Sequence, residues 1–221
     1  MGERRRYAHS MATTVQIDLH YLPSIEYFAC LWSHDTIVLE AHGSYPKQTY
    51  CNRCYIRASQ QIDRLTIPVI HQSTRRRYAE VAIDYTQPWA DAHWRALCTS
   101  YSKSPYFTYF SDYFQAIYQQ QYQSLFDLNL ALLKTCLQLL QLDKTLVLSQ
   151  HYEHMLPPHI LDARGTITPQ GRTQASRYCH YVPYAQVFGQ GFTPNLSVID
   201  LLFCMGNAAV DILQQSATKF T

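Results

Sequence analysis

Apolar and polar residues alternate over Val15-Gln16-Ile17-Asp18-Leu19, the two-residue period of a half-buried strand. Behind Pro23 and Ser24 the spacing changes to that of a helix from Ile25 to Trp32. The β-branched run Thr36-Ile37-Val38-Leu39 suits a buried strand, and a polar loop from Glu40 to Asn52 follows it. Cys54 to Ala58 and Arg64 to Val69 read as two strands joined by the turn Ser59 to Asp63, and Ala79 to Asp84 as a third.

After Pro88 a 3.6-residue period takes over. Trp89, His93, Trp94, Leu97 and Tyr101 share one broad face of a helix predicted to run to Ser102. Pro105 opens the next helix, with Phe107, Phe110, Phe114, Ile117 and Tyr118 as its aromatic stripe, a pattern that usually means core. Ser124-x-x-Asp127 resembles a capping box ahead of the clearest amphipathic helix, marked by Leu125, Leu128, Leu132, Leu133, Cys136, Leu137 and Leu140. Thr145 to Leu148 reads as a strand, Met155 to Pro183 as a loop-rich stretch, and Ser197-x-x-Asp200 as the cap of a closing helix interrupted near Gly206.

The order of elements predicts an α/β fold: a mixed β-sheet flanked by α-helices, strand-rich in the N-terminal third and helix-rich thereafter. A length of 221 residues fits one domain over 15–221, behind a flexible extension of residues 1–14 in which Met11 offers a second candidate start. Apolar residues at 47% exclude a largely disordered chain, and with only 15% charged residues the 18 tyrosines and many glutamines supply surface polarity. A net charge of +2 is too small for a nucleic-acid footprint, and Arg4-Arg5-Arg6 and Arg75-Arg76-Arg77 read as solvated runs. No stretch is read as the apolar run of about 20 residues that spans a membrane, nor the first residues as a secretory signal, so the expected location is cytoplasmic.

Seven cysteines, an odd number scattered through helical segments, point to reduced thiols. Cys51-x-x-Cys54 has metal or redox spacing but lacks a second pair. His151-x-x-His154 with His159 and Asp162 has ligand-type residues, yet Pro157-Pro158 opposes the helix that would gather them. Neither a metal nor a cofactor is expected. No glycine-rich phosphate loop, Gly-x-Ser-x-Gly elbow or His-Glu-x-x-His helix occurs in the sequence.

Several segments occur together in a fixed order: Tyr21-Leu22-Pro23, Tyr45-Pro46-Lys47-Gln48-Thr49-Tyr50-Cys51-Asn52-Arg53, Ile67-Pro68-Val69, Trp89 with His93-Trp94, Tyr101, Pro105-Tyr106-Phe107, and Pro194 through Phe203. In this order the chain resembles the WbqC-like bacterial protein family over about residues 15–215. The Lys-x-Thr-Tyr-x-Asn-Arg loop and the Pro-Asn-Leu-Ser-x-Ile-Asp-Leu-Leu-Phe segment are the most specific pieces. Asp18 and Leu19 stand where longer members have Gln and Pro, and part of those members' segment before the final helix is missing. The resemblance implies a link to bacterial surface-polysaccharide (O-antigen) gene clusters, where some members are described as candidate amino-acid (glycine) transferases acting on sugars.

Such a transfer needs a base near pH 7, donors for a developing oxyanion and cations for phosphate. His93 and His42 are the candidate bases. Lys47 and Arg53, sharing a loop with Asn52, are candidate anchors for a phosphate or carboxylate, or alternatively Asn52 and Arg53 simply tie the loop to the sheet. Tyr45, Thr49, Trp89 and Tyr101 join them on motif position, as do Asn195, Ser197 and Asp200, which have an equally good reading as a helix cap. The expected partners are a nucleotide- or carrier-linked sugar and an activated amino acid. A non-catalytic protein that uses loop 42–53 to hold a ligand or partner is the rival reading.

Overall fold

The computed structural model describes residues 13–59, 61–70, 76–172, 176–188 and 191–218. Residues 1–12 of the expected extension, with Arg4-Arg5-Arg6 and Met11, lie outside the described residues, as does Arg75. Six strands and six α-helices are described: β1 (Thr14–Asp18), α1 (Ile25–Trp32), β2 (Thr36–Glu40), β3 (Arg53–Arg57), β4 (Ile62–Thr66), α2 (Trp89–Tyr101), α3 (Phe107–Tyr118), α4 (Leu125–Leu139), β5 (Thr145–Leu148), β6 (Ile160–Asp162), α5 (Val198–Met205) and α6 (Ala209–Ser216). The α/β domain with parallel and antiparallel strands flanked by helices is thus present, and the two kinds of pairing occupy separate sheets. A parallel sheet runs β5-β2-β1-β6, and β3-β4 form an antiparallel ribbon.

Parallel strands covered by helices on their faces need apolar residues on both sides. The two inner strands meet it on one face, where Val15, Ile17, Ile37 and Leu39 are fully buried, while the other face carries the polar Gln16 and Glu40. Edge strand β5 is exposed at Val147 and Leu148. Ser24 caps α1 by accepting from the Tyr27 N–H, and Ser124 caps α4 by accepting from the Phe126 and Asp127 N–H groups.

Two segments depart from the sequence reading. Ala79 to Asp84 is not a strand: Tyr78–Glu80 is a 3-10 turn, and beyond it only isolated bridges form, Val69 with Ile83 and Ala82 with Ser124. Its β-branched residues point into the core while its backbone bonds to loops, the Ile83 N–H to Gln123 and the Leu125 N–H to the Val81 carbonyl. Conversely, the stretch read as loop-rich contains β6, three residues that form a strand by parallel pairing of Thr14 with Ile160, Val15 with Leu161 and Gln16 with Asp162.

Val198–Ser216 has the length and composition of a membrane-crossing helix. In the fold it is two helices broken at Gly206, and it packs against α1 and α3. All seven cysteines are free thiols; Cys51 and Cys54 are buried, and burial pushes the Cys51 thiol up to about 12. No group of three or more metal-ligating side chains occurs among the described residues.

Candidate functional site

In a parallel sheet, ligands sit beyond the carboxyl ends of the strands, where the chain reverses its direction of travel across the sheet. Here the chain moves from β1 to β2 and on to β5, then returns to place β6 on the other side of β1. The crevice expected on this rule therefore lies past Asp18 and Asp162, beside the start of α1. A cavity of about 420 Å³ occupies that position, lined by Glu26, Thr166, Thr168, Gln170, Gly171, Ser176, Arg177 and Tyr178. Its lining is hydroxyl, amide, carboxylate and guanidinium, the chemistry that suits a polyhydroxylated ligand better than an apolar one.

Glu26 sits in the first turn of α1 and is only 7% exposed. Its carboxylate accepts from Ser176 Oγ at 2.5 Å, Asn195 Nδ2 at 2.9 Å and the Tyr181 hydroxyl at 3.5 Å. Asn195, at φ +51°, also accepts the Glu26 N–H through Oδ1. The strained residue thereby braces the helix start from the far end of the sequence, a conformation Asn tolerates better than most.

The strand ends themselves carry a closed polar network. Register pairing of Asp18 with Glu40 brings both carboxylates out together. Glu40 accepts from Gln16, Ser149, the His42 and Gly43 N–H groups, and Arg164 at 3.2 Å. Burial alone would raise its carboxyl, but those donors hold it below the usual range. Arg164 binds Asp162 through Nε and Nη2 and lies 4.8 Å over the Tyr152 ring. Burial, opposed by the Gly165 N–H, raises the Asp18 carboxyl. Each carboxylate here accepts from at least one donor, so the network stiffens the sheet edge.

The sequence-predicted residues fall into three groups. Loop 42–53 lies over the same sheet end, since the Tyr21 N–H donates to the Tyr50 carbonyl and the Tyr78 hydroxyl to that of Leu19. Within it His42 is half-buried and Lys47 exposed; Thr49 closes a turn on the Pro46 carbonyl, Tyr45 packs on Tyr78, and Arg53 stands near enough to Tyr45 to favour its phenolate. Asn52 ties the loop to the hairpin, donating to the Ile67 carbonyl at 2.9 Å.

Trp89 and His93 belong to a buried aromatic cluster instead. The His93 ring hydrogen-bonds the Thr66 backbone, its Nδ1 lies 2.9 Å from the Tyr21 hydroxyl, and that hydroxyl also meets Tyr118. Burial lowers its pKa to about 4, leaving it neutral at pH 7. In the third group, Asp200 is fully buried and accepts from the hydroxyls of Tyr101 at 2.8 Å and Tyr184 at 2.5 Å and from Gln186 at 3.1 Å, while Ser197 caps α5.

None of these predicted residues lines the crevice, nor a second cavity of about 450 Å³ between the β3-β4 turn and α2. Asn195 reaches the crevice indirectly, through Glu26. Glu26, Ser176 and Arg177 were missed by sequence reasoning. A lone Glu in the otherwise apolar run 25–32 is the signal from which the first could have been found, though the sequence reading did not use it; nothing local marks the other two.

The structure is thus an α/β domain with a polar crevice at the topological switch of its parallel sheet. The WbqC-like protein family matches residues 19–162 and 171–212, and the chain belongs to that family. It is also 30% identical over 227 residues to an uncharacterized protein of Mycobacterium tuberculosis, Rv1507c, covering 90% of this chain and 96% of that one. No solved structure gives a significant match.

Proposed function

We propose that this protein is a cytoplasmic transferase of bacterial surface-sugar biosynthesis that moves an activated acyl or aminoacyl group onto an amino or hydroxyl group of a nucleotide- or carrier-linked sugar. The observation that carries this reading is the crevice beyond β1 and β6, where Thr166, Thr168, Gln170, Ser176 and Tyr178 offer hydroxyl and amide groups and Glu26 a carboxylate. Sugar hydroxyls donate and accept at once, and such a lining answers both demands.

In the proposed step the acceptor nitrogen or oxygen attacks the carbonyl carbon of an activated ester or thioester. The new C–N or C–O bond forms as the bond to the activating oxygen or sulfur breaks, the leaving group takes the electron pair, and the acceptor's proton passes to a base. Glu26 is the carboxylate that lines the crevice, and His42 stands at the end of β2 on the same sheet edge. Lys47 and Arg53 on the adjoining loop supply the cations for the nucleotide's phosphates.

Thermal-shift titration with a panel of nucleotide sugars tests the site. The expected result is stabilisation that is lost in Thr166→Val/Ser176→Ala and weakened in Lys47→Ala/Arg53→Ala. Stabilisation unaffected by the crevice variants overturns the placement. Mass spectrometry of sugar incubated with aminoacyl thioester then separates the rival reading: bound sugar that never gains an aminoacyl group identifies a binding protein.

A further inference from the structure

Tyr101 and Asp200 stand out in the sequence, yet neither lines the crevice; they meet at a hub elsewhere in the fold. The fully buried Asp200 carboxylate accepts from the Tyr101 hydroxyl, at the last residue of α2, and from Gln186 Nε2, on the stretch that leads to Phe188. Gln186 is fixed a second time by Thr193, donating to its carbonyl and accepting from its N–H. The Tyr101 hydroxyl in turn accepts at 3.2 Å from the N–H of Arg57, the last residue of β3. One carboxylate thereby pins a helix end, a hairpin end and the segment before Phe188 to one another.

Those three pieces wall the second cavity, of about 450 Å³. The hairpin contributes Gln61 and Asp63, beside a turn closed by the Ala58 N–H on the Gln61 carbonyl. Helix α2 contributes Ala96, Thr99 and Ser100, which their i, i+3, i+4 spacing sets on one face. The third wall brings Phe188. Walls tied together before a ligand arrives need not be ordered by it, so the hub lowers the entropic cost of binding in the cavity it frames.

The lining selects the ligand. No Lys, Arg or His is among its described residues, so a phosphate would meet the Asp63 carboxylate with no cation to balance it. Asp63 Oδ1 accepts from Gln61 Nε2 at 2.9 Å, and Oδ2 has no hydrogen bond among the described residues, which leaves it to accept from a ligand hydroxyl. Thr99 and Gln61 can each donate and accept, and Phe188 adds one apolar ring face. An organic cation would use the carboxylate and the ring but not the hydroxyl and amide groups between them. We infer that this cavity binds an uncharged sugar ring: its C–H face lies on Phe188, one hydroxyl donates to Asp63, and others exchange hydrogen bonds with Thr99 and Gln61. Tyr101 and Asp200 are positioning residues for that site. The inference concerns a site separate from the crevice and does not depend on any group being transferred.

The test is amide-shift NMR of the full-length protein titrated with methyl glucoside, methyl galactoside, N-acetylglucosamine, glucose 1-phosphate and tetramethylammonium. At least one neutral sugar should give saturable shifts at the amides of Gln61, Thr99 and Phe188, and bind there at least about fivefold more tightly than the sugar phosphate or the cation. Phe188→Ala and Asp63→Ala change half-buried residues, and each should weaken that sugar about fivefold or more while leaving the crevice amides of Thr166 and Ser176 unmoved. Tyr101→Phe, with its fold verified by circular dichroism, should weaken it too, although Tyr101 does not touch the ligand. Saturable shifts from no neutral sugar, tighter binding of glucose 1-phosphate or tetramethylammonium, or affinity indifferent to both Phe188→Ala and Asp63→Ala overturns the site. Unchanged affinity in folded Tyr101→Phe overturns the positioning role. Shifts confined to the crevice also overturn this site, while leaving the crevice reading in place.

Discussion

Gly206 is the joint between α5 and α6, and replacing it with Ala should be among the most damaging single-methyl changes in the molecule. Its backbone sits at φ +55°, ψ −128°, a region that side chains with a Cβ rarely adopt, at a cost of about 1–3 kcal/mol. A Cβ built there would lie 2.5 Å from two ring carbons of Tyr106 and 2.7 Å from a third, far inside the roughly 3.5–4 Å of ordinary contact. Relieving that overlap costs about another 1–3 kcal/mol. The combined loss, about 4 kcal/mol, is a large fraction of the roughly 5–15 kcal/mol that holds a domain folded. Gly165 is the control: its φ is +64°, but a Cβ there meets nothing within 4 Å, so Gly165→Ala should cost only about 1 kcal/mol. Urea unfolding followed by circular dichroism reads both. Adding Tyr106→Ala to Gly206→Ala should recover about half the loss, because it removes the overlap and leaves the backbone strain. A Gly206→Ala protein no less stable than Gly165→Ala would refute the reasoning.

Two further outcomes follow from buried polar groups. Burial lowers His20 to about 3 and His93 to about 4, so both stay neutral in the fold while the unfolded chain takes up protons near 6.5; their stabilisation is full above that pH and is lost as pH falls. Unfolding free energies from urea titration should therefore drop steadily from pH 6.5 to 5, by up to about 1.4 kcal/mol per pH unit for each histidine, and a flat profile over that window contradicts the assignment. Tyr101→Phe keeps the ring against Phe203 but removes the hydroxyl that donates to Asp200 and accepts from the Arg57 N–H, so it should cost about 2 kcal/mol in the same assay, whereas a loss below about 0.5 kcal/mol would mean that water restores both bonds.

The elements that could be read in advance are those whose reason for existing is local. Ser24 and Ser124 announce α1 and α4 through their caps, and the periodicity of Leu125 to Leu137 fixes the packed face of α4. Ile160–Asp162 has no such signal, because three residues behind Pro157-Pro158 become a strand only when β1 arrives to pair with them. Tyr78–Glu80 errs in the opposite sense, since its neighbours' β-branched side chains fit a sheet that the surrounding loops do not provide. The same division governs the site. Asn52 and Asp200 stood out as polar residues in specific segments, and in the fold their polar groups are engaged in holding the hairpin and α5. Asn129, on the buried face of α4, binds the Cys51 carbonyl and the Tyr78 hydroxyl, contacts that no spacing rule anticipates.

The most specific C-terminal segment gains its physical meaning at the start of α1. The Ile25 N–H donates to the Leu196 carbonyl, the Val198 N–H to that of Pro23 and the Ser197 N–H to that of Tyr55, while Ser24 and Ser197 form a bridge. Asn195 completes the clamp by gripping Glu26 at both its N–H and its carboxylate. Two sequence-distant segments thus meet where the parallel sheet reverses direction, and their fixed register is what such a junction requires: a shift of one residue would withdraw Asn195 from Glu26 and unpair Ser197 from Tyr55. The clamp sets the depth and orientation of the Glu26 carboxylate in the crevice. A rigidly held carboxylate without a cation is a costly arrangement for stability alone, and it is this cost that the proposed function assigns to the crevice.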